Sequence, residues 1–350
     1  MSSKKVISIG SLKVGAGNPI SVQSMIKSSL EDKKAVSKEI KLLEEFGCEI
    51  VRVAVENQEY AKAISFIKKK TEIPLEADIH FDYRLALAAM DNGVDAVRIN
   101  PQNMVKRKDV LSVVKEAKNR KIPIRLGINS GGFRGNFSEK VLAGKMFSKI
   151  SDYIKILEDA RFYDIILSLK TSSINSTVLV NRLVSEKFPY PLHLGVTATG
   201  PREEGIIKSS IGLGILLSEN IGDTLRVSLN SPSWEEVRIG RIILQSLGKR
   251  RFGPEIISCP TCSRCKVDLR AMVESFKKSI AKTKLADKSI DVAIMGCVVN
   301  GPGEASQADC GIAFGRKKAV FFKKGAIQKS LPAKDSLKFL LGFLKGEDNG

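Results

Sequence analysis

Short apolar runs bounded by Gly, Pro, Asn or Asp recur through the first two-thirds of the chain, at 20–25, 48–55, 73–80, 96–101, 122–129, 164–170, 191–197 and 223–229. Between them the periodicity changes. Segment 32–46 carries Val36, Ile40 and Leu43 at intervals of three and four, which is the spacing of a helix with one buried face. Near-continuous apolar strands joined by crossover helices predict a parallel sheet covered on both faces. Eight such units predict a (β/α)8 barrel, with an open doubly wound sheet as the alternative. Segment 234–247 reads as the last barrel helix, and the Gly248-Lys-Arg-Arg-Phe-Gly-Pro254 cluster as a boundary. The expected organisation is a barrel over 1–247, a linker over 248–257 and a small α+β domain over 258–346. In the latter, helices are expected over 267–282 and 333–344, and strands over 291–295, 310–314 and 318–323.

A barrel of this kind carries its site at the C-terminal ends of its strands. The residues falling there are polar and mostly cationic: Gln23, Arg52, Asp78, His80, Arg98, Asn100, Arg125, Asn129, Ser168, Lys170, His193, Thr197, Arg226 and Ser228. Guanidiniums, a lysine and amides around one mouth suit bidentate capture of phosphate oxygens. A single strand arginine points outward to a helix carboxylate about as readily; repetition on four strands argues for the mouth. His80 and His193 are the only histidines, and a lone histidine beside a strand is more often structural than catalytic. Cys48 reads as a small buried hydrophobe.

Composition narrows the classes. With 350 residues and 43% hydrophobic content the chain can bury a large core, so disorder is not the default. Its formal charge of +19, from 57 Lys and Arg against 38 Asp and Glu, raises nucleic acid, anionic membrane or a phosphorylated substrate as partners. The lysines are spread out rather than gathered in an arm, and Trp234 with five tyrosines offers little for base stacking, so nucleic-acid binding is not expected as the main role. No apolar run approaches the ~20 residues needed to cross a bilayer, and no signal segment is visible. The cysteine pattern, with five of six near the C-terminal end, reads as thiols kept for metal in a reducing cytoplasm rather than disulfides.

Five of those cysteines lie beyond residue 258. The chain reads Cys259-Pro-Thr-Cys262-Ser-Arg-Cys265, then Gly296-Cys297-Val-Val-Asn-Gly-Pro-Gly-Glu304. Two thiols at i and i+3 hold a metal centre from one tight turn, and a distant ligand closes the site. The spacing points to metal without choosing between an iron–sulfur cluster and closed zinc, although the second CxxC of a zinc ribbon is absent.

Seven segments in order carry a resemblance: Ser21-Val-Gln-Ser-Met25, Ala77-Asp-Ile-His-Phe-Asp-Tyr-Arg84, Arg98-Ile-Asn-Pro101, Leu192-His-Leu-Gly-Val-Thr197, Gly222-Asp-Thr-Leu-Arg-Val-Ser-Leu229, Ser258-Cys-Pro-Thr-Cys262 and Met295-Gly-Cys-Val-Val-Asn-Gly-Pro-Gly-Glu304. Together they resemble the 4-hydroxy-3-methylbut-2-enyl diphosphate synthase family of the non-mevalonate isoprenoid pathway. The resemblance implies a TIM barrel that binds 2-C-methyl-D-erythritol 2,4-cyclodiphosphate, and a ferredoxin-like, sulfite-reductase-like domain with a [4Fe–4S] cluster on three cysteines and a glutamate. These match Cys259, Cys262, Cys297 and Glu304. It further implies a homodimer sharing its active sites, a two-electron reductive ring opening with loss of water, and an acidic flavodoxin or ferredoxin as donor. Arg52, Arg98, Arg125, Asn129, Lys170, His193, Arg226 and Ser228 would then bind substrate, with Glu304, His80 and Asp78 in catalytic roles.

Three positions depart from the family pattern. Val196-Thr-Ala-Thr-Gly200 stands where Val-Thr-Glu-Ala-Gly is usual, so Ala198 cannot supply the proton often given to that glutamate. Protonation would fall to His80, Asp78 or cluster-bound water, with Glu203 and Glu204 as further substitutes. Gln102 replaces a common glycine after Arg98-Ile-Asn-Pro101, and Cys265 is an extra thiol able to compete with Glu304. Two other classes stay open: a phosphosugar lyase or aldolase with Lys170 as Schiff-base lysine beside a structural zinc domain, and a zinc-dependent nucleic-acid-binding module. A radical S-adenosylmethionine barrel is disfavoured, since no CxxxCxxC lies near the first strand.

Overall fold

The computed structural model describes residues 3–346 apart from 266, 282, 284, 286, 287, 300–302 and 304. The chain divides into two units, Met1–Arg250 and Arg251–Gly350.

The first unit opens with a hairpin that the sequence reading did not anticipate, β1 (Ile7–Ile9) against β2 (Leu12–Val14). Ile7, Ile9 and Val14 pack with Ile50, Ala96 and Ile166, residues at or near the N-terminal ends of later strands, so the hairpin caps the floor of the barrel. The eight barrel strands follow: β3 (Ser21–Met25), β4 (Ile50–Val55), β5 (Leu75–Ile79), β6 (Ala96–Ile99), β7 (Ile124–Asn129), β8 (Ile165–Lys170), β9 (His193–Leu194) and β10 (Thr224–Leu225). They form one parallel sheet in the order β8-β7-β6-β5-β4-β3-β10-β9, and a parallel bridge from Leu167 to Leu192 closes it into a barrel. The predicted (β/α)8 architecture is the observed one. All eight predicted strands are present, each shorter than its apolar run because flanking residues leave the ladder.

Helices cover the outside for the anticipated reason. Helix α1 (Lys33–Glu45) buries Val36, Ile40 and Leu43, and its first turn is held by Asp32, whose carboxylate accepts from the amides of Lys34 and Ala35 at 3.1 and 2.9 Å. Helices α2 (Gln58–Lys68), α3 (Tyr83–Asp91), α4 (Arg107–Arg120), α5 (Glu139–Asp159), α6 (Ile174–Lys187), α7 (Arg202–Ser218) and α8 (Ser233–Ser246) continue the alternation. No helix among the described residues is long and apolar enough to cross a membrane.

The second unit is a five-stranded mixed sheet. Strands β11 (Glu255–Ser258), β12 (Asp291–Met295) and β13 (Cys310–Phe314) run parallel, and β14 (Lys318–Lys323) and β15 (Ala326–Pro332) continue antiparallel. Helices α9 (Leu269–Ile280) and α10 (Ser336–Lys345) pack on one face, around Phe276, Ile280, Ile312, Phe314 and Leu340. Residues 255–257, assigned from sequence to a linker, are strand. Ile256 and Ile257 pack into the cores on the two opposite faces of the sheet, so this short stretch has structural work that composition alone did not disclose. Strand β15 was likewise missed, because it is an exposed edge with little apolar content.

Candidate active site

The strands turn alternate residues inward, and in the upper half of the barrel these inward positions are polar. One layer sets Arg125 of β7 against Glu76 of β5, with Arg125 Nη1 also donating to Gln23 Oε1 of β3 at 3.0 Å. Arg125 and Glu76 are almost wholly buried, and burial pushes the arginine down to about 9 against the pull of Glu76, which leaves it charged at neutral pH.

Above them Asp78 is clasped by two arginines. Its Oδ1 accepts from Arg98 Nη1 and its Oδ2 from Arg52 Nη2, both at 2.9 Å, and His80 Nε2 lies 3.5 Å from Oδ2. Burial alone would raise this carboxyl. Arg52, the His80 contact and Arg98 outweigh that effect and hold it well below the usual carboxylate range. Arg98 Nη2 donates to the Gly127 carbonyl at 2.9 Å, and a Cβ at position 127 would stand 2.4 Å from Arg98 Nε, so only glycine admits this guanidinium.

On the opposite wall Arg226 donates through Nε and Nη2 to Glu236 at 3.0 and 3.2 Å. Glu236 also takes Lys27 at 2.9 Å and the Ser24 hydroxyl at 2.9 Å, so one fully buried carboxylate from α8 fixes three groups. Lys170 differs. Its Nζ lies 3.0 Å from His193 Nε2, whose Nδ1 lies 2.8 Å from Thr224 Oγ1, and no carboxylate among the described residues reaches it. Burial first, then repulsion from Arg125, Arg52, Arg226 and Arg98, pushes Lys170 well below its ordinary value; His193 is pushed down by burial and by Lys170. Gly195 makes room, since a Cβ there would stand 2.8 Å from Lys170 Nζ.

Arg52, Arg98, Arg125, Asn129, Ser168, Lys170, Thr197, Arg226 and Ser228 line one cavity of about 70 Å3. That is well under the ~300 Å3 of a typical organic-ligand pocket, and suits a compact anionic group. Two donors near it, Arg52 Nε and Arg125 Nε, are buried without a partner in the protein, a cost of roughly 1–3 kcal/mol each unless a ligand or water accepts from them. The structure therefore gathers Arg52, Arg98, Arg125, Asn129, Lys170, Arg226 and Ser228 at one mouth. His193 stands behind Lys170, and His80 lies at the rim, 49% exposed.

Sequence reasoning passed over Glu76, Glu236, Lys27 and Thr224. Glu76 was legible, as an acidic residue two before Asp78 in an otherwise apolar strand. Glu236 was not, because it sits among the polar residues of a helix N-terminus. Of the departing positions, Ala198 adopts a left-handed φ of +51° and is exposed, and the Gln102 side chain lies where a Cβ on Gly132 would stand, within 2.2 Å of its Cδ. Gln102 Nε2 is buried without a hydrogen-bond partner.

In the second unit the cysteines sit at the C-terminal ends of two adjacent parallel strands. Cys259 follows β11 and Cys297 follows β12, with Ser258 in register with Ile294. The Gly296 amide donates to Cys259 Sγ at 3.3 Å, and a Cβ on Gly296 would stand 2.6 Å from Cys265 Sγ. The intervening turn bends through Thr261 at φ +68° and leaves Cys262 exposed. Cys265 Sγ donates to the Val267 carbonyl at 3.3 Å. Glu304, the fourth expected ligand, lies outside the described residues. No three His, Cys, Asp or Glu side chains among the described residues converge on one metal ion. The donor set nonetheless fits an iron–sulfur group, which spreads its thiolates over separate corners and accepts amide hydrogen bonds at sulfur.

A parallel (β/α)8 barrel with a cationic mouth, followed by a thiol-bearing α+β unit, defines a two-domain α/β enzyme for a small phosphorylated compound. Two family models divide the chain in the same way: the GcpE TIM-barrel domain matches residues 4–241 and the GcpE protein C-terminal domain residues 255–345. Relatives from Caldanaerobacter subterraneus subsp. tengcongensis (46% identical over 338 residues; 96% of this chain, 94% of the relative) and Thermodesulfovibrio yellowstonii (48% over 328 residues; 93% of each) are both named 4-hydroxy-3-methylbut-2-en-1-yl diphosphate synthase (flavodoxin). The chain belongs to the GcpE family, the family of these oxidoreductases. Among solved structures, dihydropteroate synthase from Yersinia pestis aligns with a TM-score of 0.53 at 12% identity, covering 70% of this chain and 100% of that one, which shows the barrel fold alone.

Proposed function

We propose that the protein reduces 2-C-methyl-D-erythritol 2,4-cyclodiphosphate to (E)-4-hydroxy-3-methylbut-2-enyl diphosphate in isoprenoid precursor synthesis. The reaction takes two electrons and one proton, opens the ring at the carbon–oxygen bond to the diphosphate and releases water. The observation that carries this reading is the mouth itself, where Arg52, Arg98, Arg125, Lys170 and Arg226 face a cavity sized for a phosphate group.

The chain's own residues would bind and orient. Arg52, Arg98, Arg125, Asn129, Lys170, Arg226 and Ser228 hold the diphosphate, His193 backs Lys170, and the fixed cations stabilise the oxygen charge that develops as the ring opens. Asp78 and Glu76 keep the guanidiniums in place. Asp78 is held ionised, so of the residues named as proton sources in place of the missing acid at 198, the half-exposed His80 suits the task better than Asp78, which suits positioning.

Cys259, Cys262, Cys297 and Glu304 would hold a [4Fe–4S] cluster; the Cys265 thiol donates to the Val267 carbonyl and is read as outside the set. When bound, that cluster supplies electrons and, at a carboxylate-held iron, an exchangeable Lewis-acidic position. The reading includes flavodoxin or ferredoxin as donor, a cytoplasmic location, and a homodimer in which each barrel is served by its partner's thiol-bearing unit. Arg125→Ala tests the division of roles: turnover of the cyclic diphosphate should fall while visible absorption of the cluster stays, and bleached protein would contradict it.

A further inference from the structure

The second unit carries an unusual charge distribution at the end of the sheet where its thiols lie. Residues 310–346 hold nine Lys and Arg against one acid, Asp335. Four of these cations stand at one place. Strand β13 passes the level of Cys297, since Met295 pairs with Ala313, and runs into Gly315-Arg316-Lys317 before β14 begins at Lys318. Strand β15 returns to the same end, where Ala333 N donates to the Lys317 carbonyl at 3.1 Å and places Lys334 beside the turn. Arg316, Lys317, Lys318 and Lys334 are all exposed, and none forms an ion pair among the described residues. Elsewhere the surface cations are commonly paired, as in Arg84–Asp82, Arg107–Asp159, Arg182–Glu219 and Arg251–Asp291.

An apolar centre adjoins this basic rim. Val298 and Val299, the two residues after Cys297, are 42% and 72% exposed. A Cβ built on Gly315 would stand 4.0 Å from Val298 Cγ1, which ties Val298 to the cationic turn. A small apolar centre with a predominantly cationic rim is the form of a transient electron-transfer contact, where complementary charge speeds encounter and a limited area allows rapid release.

We propose that Val298 and Val299, rimmed by Arg316, Lys317, Lys318 and Lys334, form the docking surface for an acidic electron-carrier protein of the flavodoxin kind. The inference rests on the function proposed above and adds the place of contact. Its position next to Cys297 would bring the carrier's redox group close to the proposed cluster. The hairpin turn at the far end of β14 supplies an internal control, since Lys323 and Lys324 carry the same charge away from the thiols.

The test is titration of the anaerobically prepared holoenzyme with a purified acidic flavodoxin by calorimetry at two salt concentrations, for wild type, Lys317→Glu/Lys318→Glu, Lys323→Glu/Lys324→Glu and Val299→Ser. The expected result is salt-sensitive binding that the 317/318 pair weakens at least tenfold, Val299→Ser weakens severalfold, and the 323/324 pair barely changes. The ratio of flavodoxin-driven to dithionite-driven turnover should fall by a similar factor in the 317/318 variant. Equal weakening by both charge pairs would overturn the proposal in favour of net charge, and an equal fall in both turnovers would assign the surface to the substrate side. Wild type that turns over with dithionite but does not bind flavodoxin refutes the docking surface alone; failure with every reductant refutes the function beneath it.

Discussion

Lys170 is the cation at the barrel mouth with no carboxylate partner among the described residues, and replacing it with methionine isolates what that costs. Its amine faces His193 on β9, with Arg125, Arg52, Arg226 and Arg98 around it, and is driven towards neutrality in the ligand-free protein. For a lysine whose folded value is depressed, the unfolded chain binds more protons at neutral pH. The group therefore subtracts from stability there, and the penalty fades only as pH rises towards the unfolded value near 10.4. Lys170→Met removes the penalty at similar volume, so the ligand-free protein should gain about 1–2 kcal/mol, or roughly 2–8 °C in Tm.

The same change should weaken binding of the cyclic diphosphate. Loss of one charge-assisted hydrogen bond is worth about 1.5–3 kcal/mol, roughly ten- to a hundredfold in Kd. The ligand stays a dianion across the neutral range, so proton uptake on binding belongs to the protein. Calorimetry in two buffers of different ionisation enthalpy should show net proton uptake by wild type and less of it by Lys170→Met. A less stable variant, or wild-type binding without proton uptake, would refute the reasoning.

Further outcomes follow from the neighbouring geometry. Gly127→Ala puts a methyl group 2.4 Å from Arg98 Nε, so diphosphate affinity should drop at least tenfold while the far-ultraviolet spectrum is kept; unchanged affinity would show that Arg98 is not held as described. Glu236→Gln strips the counter-charge from Arg226 and Lys27 in a fully buried place, and urea unfolding should report a loss of about 3–5 kcal/mol. Asp78 has a lowered folded value, so its contribution is complete above about pH 4 and is lost as pH falls further; Asp78→Asn should be less stable at neutral pH and flatten that acid limb.

Much of the barrel was legible because it rests on a strong repeated signal. Eight apolar runs separated by helical periodicity leave few topologies open, and the residues that line the cavity are all among the polar residues at the run ends. What escaped had a physical reason. The floor hairpin is only three residues per strand, below the length at which alternation can be recognised, and β15 is an edge strand exposed along nearly its whole length. Residues 255–257 were hidden behind a Gly, Pro and charge cluster that truly marks a boundary, but ends sooner than its composition suggests. The site was legible in its cations and in Asp78, and not in Glu236, which touches Arg226 and Lys27 from a helix N-terminus rather than facing the cavity. That Asp78 is locked between Arg52 and Arg98, and so unsuited to giving up a proton, needed the geometry.

The most direct test of the central claim is iron, sulfide and zinc analysis of protein purified without oxygen, followed by incubation with the cyclic diphosphate and reduced flavodoxin. Wild type, Cys297→Ala, Cys265→Ser and Glu304→Ala would be compared. The account predicts about four irons and four sulfides per chain, and formation of the linear allylic diphosphate with two electrons consumed. Cluster absorption should survive in Cys265→Ser and be lost in Cys297→Ala and Glu304→Ala. One zinc per chain with no chromophore and no product would contradict it, and would leave a phosphate-binding barrel beside a structural zinc domain.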